Sequence, residues 1–277
     1  MSAPAHVNGS SRAVHSDGGS RGSLRKLLAD HPSLWRLASL GLFFLVWEIA
    51  GRIPISFAFP TFLETLRAFV RMTLDGSFAT AYASTLQPLV IGIGISAVLG
   101  VGLGVVMGLS RKVEWLAAPV FIVLQAAPMA ALIPLITFAY GIGLVAKTLA
   151  VIMLALPVIV LNGYKAVRNA NPSLVDMCRS FQGTRWQQIV KVIIPDASPV
   201  IFAGLRLGLA AGFIGVILAE LLITPTGIGD LITYHRSVAD YPEMYAAVVS
   251  IIVVSTLTLA ALEAFELRVL RPEKRRG

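Results

Sequence analysis

Residues 87–109 read QPLVIGIGISAVLGVGLGVVMGL, a run without a single charge. A helix needs about 20 apolar residues to cross the hydrocarbon core of a bilayer, so this run predicts a membrane span. Small residues recur in it at every fourth position: Gly92, Ser96, Gly100, Gly104 and Gly108. That period places them on one helix face, and a face without bulk lets a second helix approach closely. Helix packing is therefore the role expected of these five residues. Pore lining is the minority reading, because glycine offers no side-chain chemistry.

Similar runs lie at 34–53, 117–140, 145–164, 199–223 and 244–265. The expected fold class is an all-α integral membrane protein with about six transmembrane helices. Arg36, Glu48 and Arg52 shorten the first of them. Composition agrees: 56% of residues are hydrophobic and 14% charged, against roughly 25% charged in soluble domains. Residues 1–30 are rich in Ser, Gly, Arg and His and read as a disordered cytoplasmic tail without a cleavable signal. A membrane domain is expected over 31–271 and a basic cytoplasmic tail over 272–277. The segment LETLRAFVRMTL at 63–74 has apolar residues at helical spacing, with Arg67 and Arg71 one turn apart, and suits an interfacial helix.

The net charge of +8 does not call for nucleic acid, because Lys and Arg gather in the cytoplasmic loops of membrane proteins. With the N-terminus inside, seventeen of the 23 Lys and Arg residues fall on the inner side. Both termini are thus expected in the cytoplasm, and so is the loop over 165–198. Cys178 stands alone and forms no internal disulfide, and the four histidines show no metal-ligand spacing. No catalytic residue, metal or bound cofactor is expected in this chain.

Within that loop, residues 180–195 read SFQGTRWQQIVKVIIP. Ser173 and Asp176, after Pro172, form a helix-start signal, and Thr184 with Gln187 forms a capping box. Trp186, Ile189, Val190 and Ile193 then share one face, with Arg185, Gln187, Gln188 and Lys191 on the others. Pro195 is expected to end the second helix at Ile194. The product is a helix-turn-helix over 172–195, between spans four and five, with Phe181 and Trp186 flanking a turn at Gln182 and Gly183. It suits a docking element or an interfacial helix lying on lipid.

Few side chains suggest a solute path. Pro128, Pro134 and Pro157 lie inside spans, where proline frees a carbonyl and makes either a kink or the border of a wet cavity. Arg206 and Glu220 are the charges of the fifth span, about 21 Å apart along a helix, and either snorkel or line a vestibule. Gln125, Pro128, Pro134, Arg206 and Glu220 are the candidates for the path. GIGLVAKT at 141–148 is similar to a phosphate-binding loop, but Ala146 stands where that loop needs Gly, and no strand precedes it. Intrinsic ATP binding is not expected.

LVDMCRSFQGTRWQQIVKVIIPDASP at 174–199 resembles the cytoplasmic EAA loop of permease subunits of bacterial ABC importers. Asp176 stands for the motif's Glu, Met177 and Cys178 for its two Ala, and Ile194–Pro195 for its Leu–Pro. The motif's Gly falls on Gln182, with Gly183 one place late. RKVEWLAAPVFIVLQAAPMAALIPLITFAYGIG and AELLITPTGIGDLI resemble the nitrate/sulfonate/taurine branch. The resemblance, over about 34–271, implies a binding-protein-dependent permease of the bacterial inner membrane, itself non-catalytic. It implies a second permease subunit, two ATPase subunits that bind ATP and Mg, and a periplasmic or lipid-anchored solute-binding protein. Asp176, Arg179, Phe181, Gln182, Gly183, Arg185, Trp186 and Pro195 would couple the ATPase to the path. The implied solute is a small organic anion such as a sulfonate or taurine, or nitrate; related permeases serve pyrimidine precursors, riboflavin and aromatic carboxylates. The competing class is an ion-coupled carrier, which usually carries acids or histidines in mid-span and often repeats, and these are sparse here.

Overall fold

The computed structural model describes residues 32–53, 57–223 and 225–270. The expected tails at 1–30 and 272–277 lie outside the described residues. The chain divides into two units at Ile55 and Ser56. The first contains one described helix, α1 (Pro32–Arg52), with Arg52 paired to Glu48 one turn earlier at 2.8 Å.

The second unit is all helical over its described residues. It contains α2 (Phe62–Leu74), α3 (Ser77–Leu109), α4 (Arg111–Ala126), α5 (Met129–Tyr140), α6 (Leu144–Arg168), α7 (Pro172–Ser180), α8 (Arg185–Gln188), α9 (Ile194–Leu222), α10 (Ile228–Ser237) and α11 (Tyr241–Leu270). Among the described residues four stretches are long and apolar enough to cross a membrane: Ser77–Leu109, Leu144–Arg168, Arg185–Leu222 and Tyr241–Arg268. α4 and α5 qualify only as a pair, bent by 99°.

The run expected at 34–53 forms α1. One expected span differs. The one at 117–140 is broken. Ala127 takes an extended conformation (ψ 136°) before Pro128, as a residue preceding proline prefers, and Pro128 opens α5 without contributing an N–H.

α6 is the centre of the unit, with half of its span buried inside the chain. The small-residue face of α3 lies on one side of it. A Cβ added at Gly104 would sit 2.9 Å from the Val160 carbonyl oxygen and 3.0 Å from the Tyr164 nitrogen, and one at Gly108 would meet Val167. Gly92 and Gly100 face Val151 and Ile159 in the same way, and Ser96 is buried between them. α9 covers another side of α6 with a second ladder: Gly204 against Asn162, Gly208 against Ile159 and Gly215 against the Ala150 carbonyl. Lipid is as apolar as leucine, so such helices associate by close packing rather than by hydrophobic burial, and two glycine faces suit a central helix.

α2 starts at a capping box: the Thr61 hydroxyl accepts from the Glu64 amide, and the Glu64 carboxylate accepts from the Thr61 amide at 2.9 Å. Thr65, Ala68 and Met72 form its buried stripe, and the latter two pack among Phe78, Ala81, Ile228, Ala246 and Ala247. Arg71 pairs with Glu243 of α11. The segment expected at the interface is thus fastened to the protein along one face.

Candidate coupling loop and buried polar cluster

Between α6 and α9 the chain folds into a small helical hairpin. Asn171 caps α7, its side chain accepting from the Ser173 amide at 3.0 Å, with Pro172 in the first helical position. The start expected at Ser173 and Asp176 is displaced, because proline presets the first-turn φ and lacks only an N–H that has no helical partner there. Asp176 instead pairs with Arg179 at 3.1 Å on the exposed face. The Asn171 amide also donates to Asp196 Oδ2 at 2.8 Å, tying the loop's entry to its exit.

The turn reverses at Gln182, whose φ is +58°. The Gln182 amide donates to the Arg179 carbonyl at 2.8 Å and the Gly183 amide to the Cys178 carbonyl at 2.9 Å. The left-handed residue is therefore Gln182, the position where the EAA pattern places its glycine. Gly183 is required for another reason: a Cβ there would lie 2.5 Å from Cys178 Sγ and 2.8 Å from its carbonyl oxygen. Thr184 and Gln187 close the expected capping box, the Thr184 amide donating to Gln187 Oε1 at 2.8 Å. Phe181 and Trp186 are 81% and 72% exposed, with Met177 open beside them.

Pro195 does not end the second helix. Ile194 stays helical (φ −64°, ψ −46°), and its amide reaches back five residues to the Ile189 carbonyl. Residues Ile189–Ile193 form a π turn that widens the helix before the proline. α8 and α9 are consequently one helical stretch, Arg185–Leu222.

At the other end of α9 lies Glu220, whose side chain is fully buried. Its Oε1 accepts from Lys147 Nζ at 2.8 Å, and the 3%-exposed lysine side chain also donates to the Thr226 carbonyl at 2.9 Å and the Thr226 hydroxyl at 3.1 Å. The Thr85 hydroxyl donates to the carboxylate at 2.9 Å and accepts from the Ile228 amide at 3.0 Å. The Gly229 amide donates to Glu220 Oε2 at 3.0 Å. Gly227, at φ +101°, passes over the carboxylate so closely that a Cβ would overlap it. A buried carboxylate and ammonium are tolerable when each is paired and hydrogen-bonded, and this cluster satisfies both.

Residues 92–271 match the family described as binding-protein-dependent transport system inner membrane component. The chain is 33% identical to the riboflavin transport system permease protein RibX of Chloroflexus aurantiacus, over 83% of this chain and 87% of RibX. It is 26% identical to an aliphatic sulfonates transport permease protein, SsuC, of Bacillus subtilis (82% and 83% covered), and 24% identical to the taurine permease TauC of Escherichia coli (70% and 71%). It superposes on a chain of an inward-facing MetNI methionine ABC transporter with a TM-score of 0.59 at 18% identity, covering 69% of this chain and 94% of the other.

The chain belongs to this ABC importer permease family.

As such a permease it is a non-catalytic, multi-pass component of the inner membrane, and ATP hydrolysis belongs to the ATPase that the family implies. Its structure separates the five residues considered for a path. Gln125 and Pro128 flank the α4–α5 bend, Pro134 lies within α5, and all three are exposed in the single chain. Arg206 pairs with Glu263 at 3.3 Å and Glu266 at 3.5 Å of α11. Glu220 neither snorkels nor opens to a vestibule, because Lys147 and Thr85 enclose it. Pro157 is buried within α6. Lys147 was the missed partner. It sits in the stretch similar to a phosphate-binding loop, and nothing local announces its pairing with a residue 73 positions away. The α9 glycine ladder was also missed, although Gly204, Gly208 and Gly212 carry the same period-four signal as α3.

Proposed function

We propose that two copies of this permease line the solute path and that the 172–195 hairpin is where a separate ATPase grips them. The observation that carries this reading is the exposed pair Phe181 and Trp186 on a hairpin continuous with a span. Buried aromatics are the usual anchors of protein interfaces, and these two stand open in the single chain. The concentration of Lys and Arg on the hairpin's side supports a cytoplasmic hairpin and cytoplasmic termini. ATP-driven closure of the ATPase dimer moves the hairpins and switches the path between inward- and outward-facing states. Gln125, Pro128 and Pro134 border that path at the α4–α5 bend, where irregular backbone is tolerated beside a cavity. Delivery is by a periplasmic or lipid-anchored binding protein.

The solute is a small organic anion such as a sulfonate or taurine, or nitrate, in keeping with the SsuC and TauC relatives. A second reading, riboflavin, a pyrimidine precursor or an aromatic carboxylate, is favoured by the 33% identity to RibX and the 26% identity to a formylaminopyrimidine permease, ThiX. Binding of the cognate binding protein to a panel of both classes decides between them. For the coupling assignment, truncating an anchor costs about 2 kcal/mol, roughly 30-fold in affinity. Trp186→Ala and Phe181→Ala should each release the ATPase in pull-downs and abolish solute-stimulated ATP hydrolysis in vesicles, with normal membrane insertion. Wild-type retention and stimulation in both variants would sink the assignment and favour a hairpin that lies on lipid.

A further inference from the structure

Four elements meet at the Glu220 carboxylate. α3 supplies Thr85, α6 supplies Lys147, α9 supplies Glu220 itself, the turn leading into α10 supplies the Thr226 carbonyl and hydroxyl that hold Lys147, and the first turn of α10 supplies the Gly229 amide. The turn is held by backbone as much as by side chain. Ile228 donates to Thr85 at 3.0 Å, and Gly227 and Gly229 both lie so close to Glu220 that neither admits a Cβ. Glu220 stands on the same helical stretch as Trp186, at the opposite end. Thirty-four residues separate them, about 50 Å of helix.

We infer that the Lys147–Glu220 pair is a positioning clasp: it fastens the turn before α10, and α10 with it, to the far end of α9, so that a displacement of the coupling hairpin reaches α10 undiminished. The inference rests on the coupling reading above and adds to it the element that moves at the other end. Geometry distinguishes a clasp from a mere core contact. Each carboxylate oxygen has two partners, with the Thr85 hydroxyl shared between them, and the start of α10 enters the cluster at three points: the Gly229 amide on Glu220, the Ile228 amide on Thr85, and Thr226 on Lys147. Without the pair, α10 would keep its apolar packing but lose the directional bonds that fix it to α9.

Two measurements on the full complex test this, with ATPase and binding protein present. In the first, Lys147→Met and Glu220→Gln are compared with the double variant Lys147→Met/Glu220→Met. Each single change leaves a buried polar group unmatched and should lower the thermal stability of the complex. The double change removes both charges and should restore it, because apolar replacement of a whole buried pair is commonly tolerated. Restored assembly should nevertheless come with solute uptake per ATP reduced about tenfold, while basal ATP hydrolysis persists. A double variant with wild-type uptake per ATP overturns the inference and leaves the pair purely structural.

The second measurement keeps the pair intact and so does not depend on a variant that assembles. Spin labels at Tyr234 of α10 and Leu207 of α9, both exposed, are placed in a Cys178→Ser background. Their separation should be the same in the nucleotide-free and vanadate-trapped complexes. A shift wider than the spread of the labels means that α10 moves apart from α9, and the inference fails. If the wild-type permease retains no ATPase at all, the coupling reading falls and this inference with it; if wild type couples and the double variant couples equally, only the clasp falls.

Discussion

Gly104→Ala places one methyl group between α3 and α6. Its Cβ would lie 2.9 Å from the Val160 oxygen, 3.0 Å from the Tyr164 nitrogen and 3.1 Å from the Gly163 carbonyl carbon. Ordinary contact for such atoms is about 3.5 Å or more, so roughly 0.5 Å must be found. All three neighbours are backbone, and no rotamer change supplies it. The helices must part, and the seams at Gly92, Gly100 and Gly108 loosen with them, since a gap of that size forfeits about a quarter or more of the contact energy. Overpacking of this kind costs about 1–3 kcal/mol, offset by about 1 kcal/mol from the better helix propensity of alanine. Gly102 is the internal control, because a Cβ there meets nothing within 4 Å. Gly102→Ala collects the propensity gain alone. The two variants should therefore differ by about 2 kcal/mol, an approximately 30-fold difference in the unfolding equilibrium. Denaturant titration of the purified permease in mild detergent, followed by tryptophan fluorescence, reads the difference. If Gly104→Ala is as stable as Gly102→Ala, the two backbones do not approach as described.

At the hairpin, Gln182→Gly should remove a left-handed strain of about 1 kcal/mol and slow hydrogen exchange across residues 181–184, whereas Gly183→Ala, which collides with Cys178, should speed it; changes of the same sign in the two variants would contradict the assignment of the turn. Arg71→Ala leaves Glu243 buried without its cation and should cost about 1–3 kcal/mol of stability, with most of the loss recovered in Arg71→Ala/Glu243→Gln; an unchanged melting temperature in the single variant would refute that pairing. The purified permease alone should show no saturable ATP binding, because Lys147 is engaged by Glu220 and Thr226; a saturable isotherm for ATP in equilibrium dialysis would overturn this.

How much of this could be read from the chain depends on the range of the interaction. The α3 ladder and the Thr184–Gln187 box are local patterns, and the residues that make them also complete them. The helix start at Asn171 is local too, yet the Ser173–Asp176 pattern competes with it, and only the preference of Pro172 for the first helical position decides. Pro195 and Pro128 obey the same rule and come out oppositely. One is absorbed by a π turn inside a continuous helix, whereas the other breaks its run by 99°. The left-handed turn passes to Gln182 because Gly183 is held against Cys178, a contact that spacing does not reveal. Lys147 and Glu220 are unreadable one at a time, since each looks like a charge near a span end until the fold brings them together.

The length of α3 has a consequence for where that pair sits in depth. Thirty-three residues of helix rise about 50 Å, whereas a hydrocarbon core is only about 30 Å thick. The uncharged run at 87–109 is enough for that core. With that run in the core, the turns from Ser77 to Thr85 extend past it toward the headgroups, and there Tyr82 joins Ser250 of α11 through its hydroxyl at 2.9 Å. Thr85 stands two residues before the greasy run, so with that run filling the core the carboxylate it touches lies toward the rim of the bilayer rather than in its middle. A collar of protein surrounds an ion pair at the very depth where water gives way to lipid tails, and the thickness of the host membrane sets which side of that boundary it occupies.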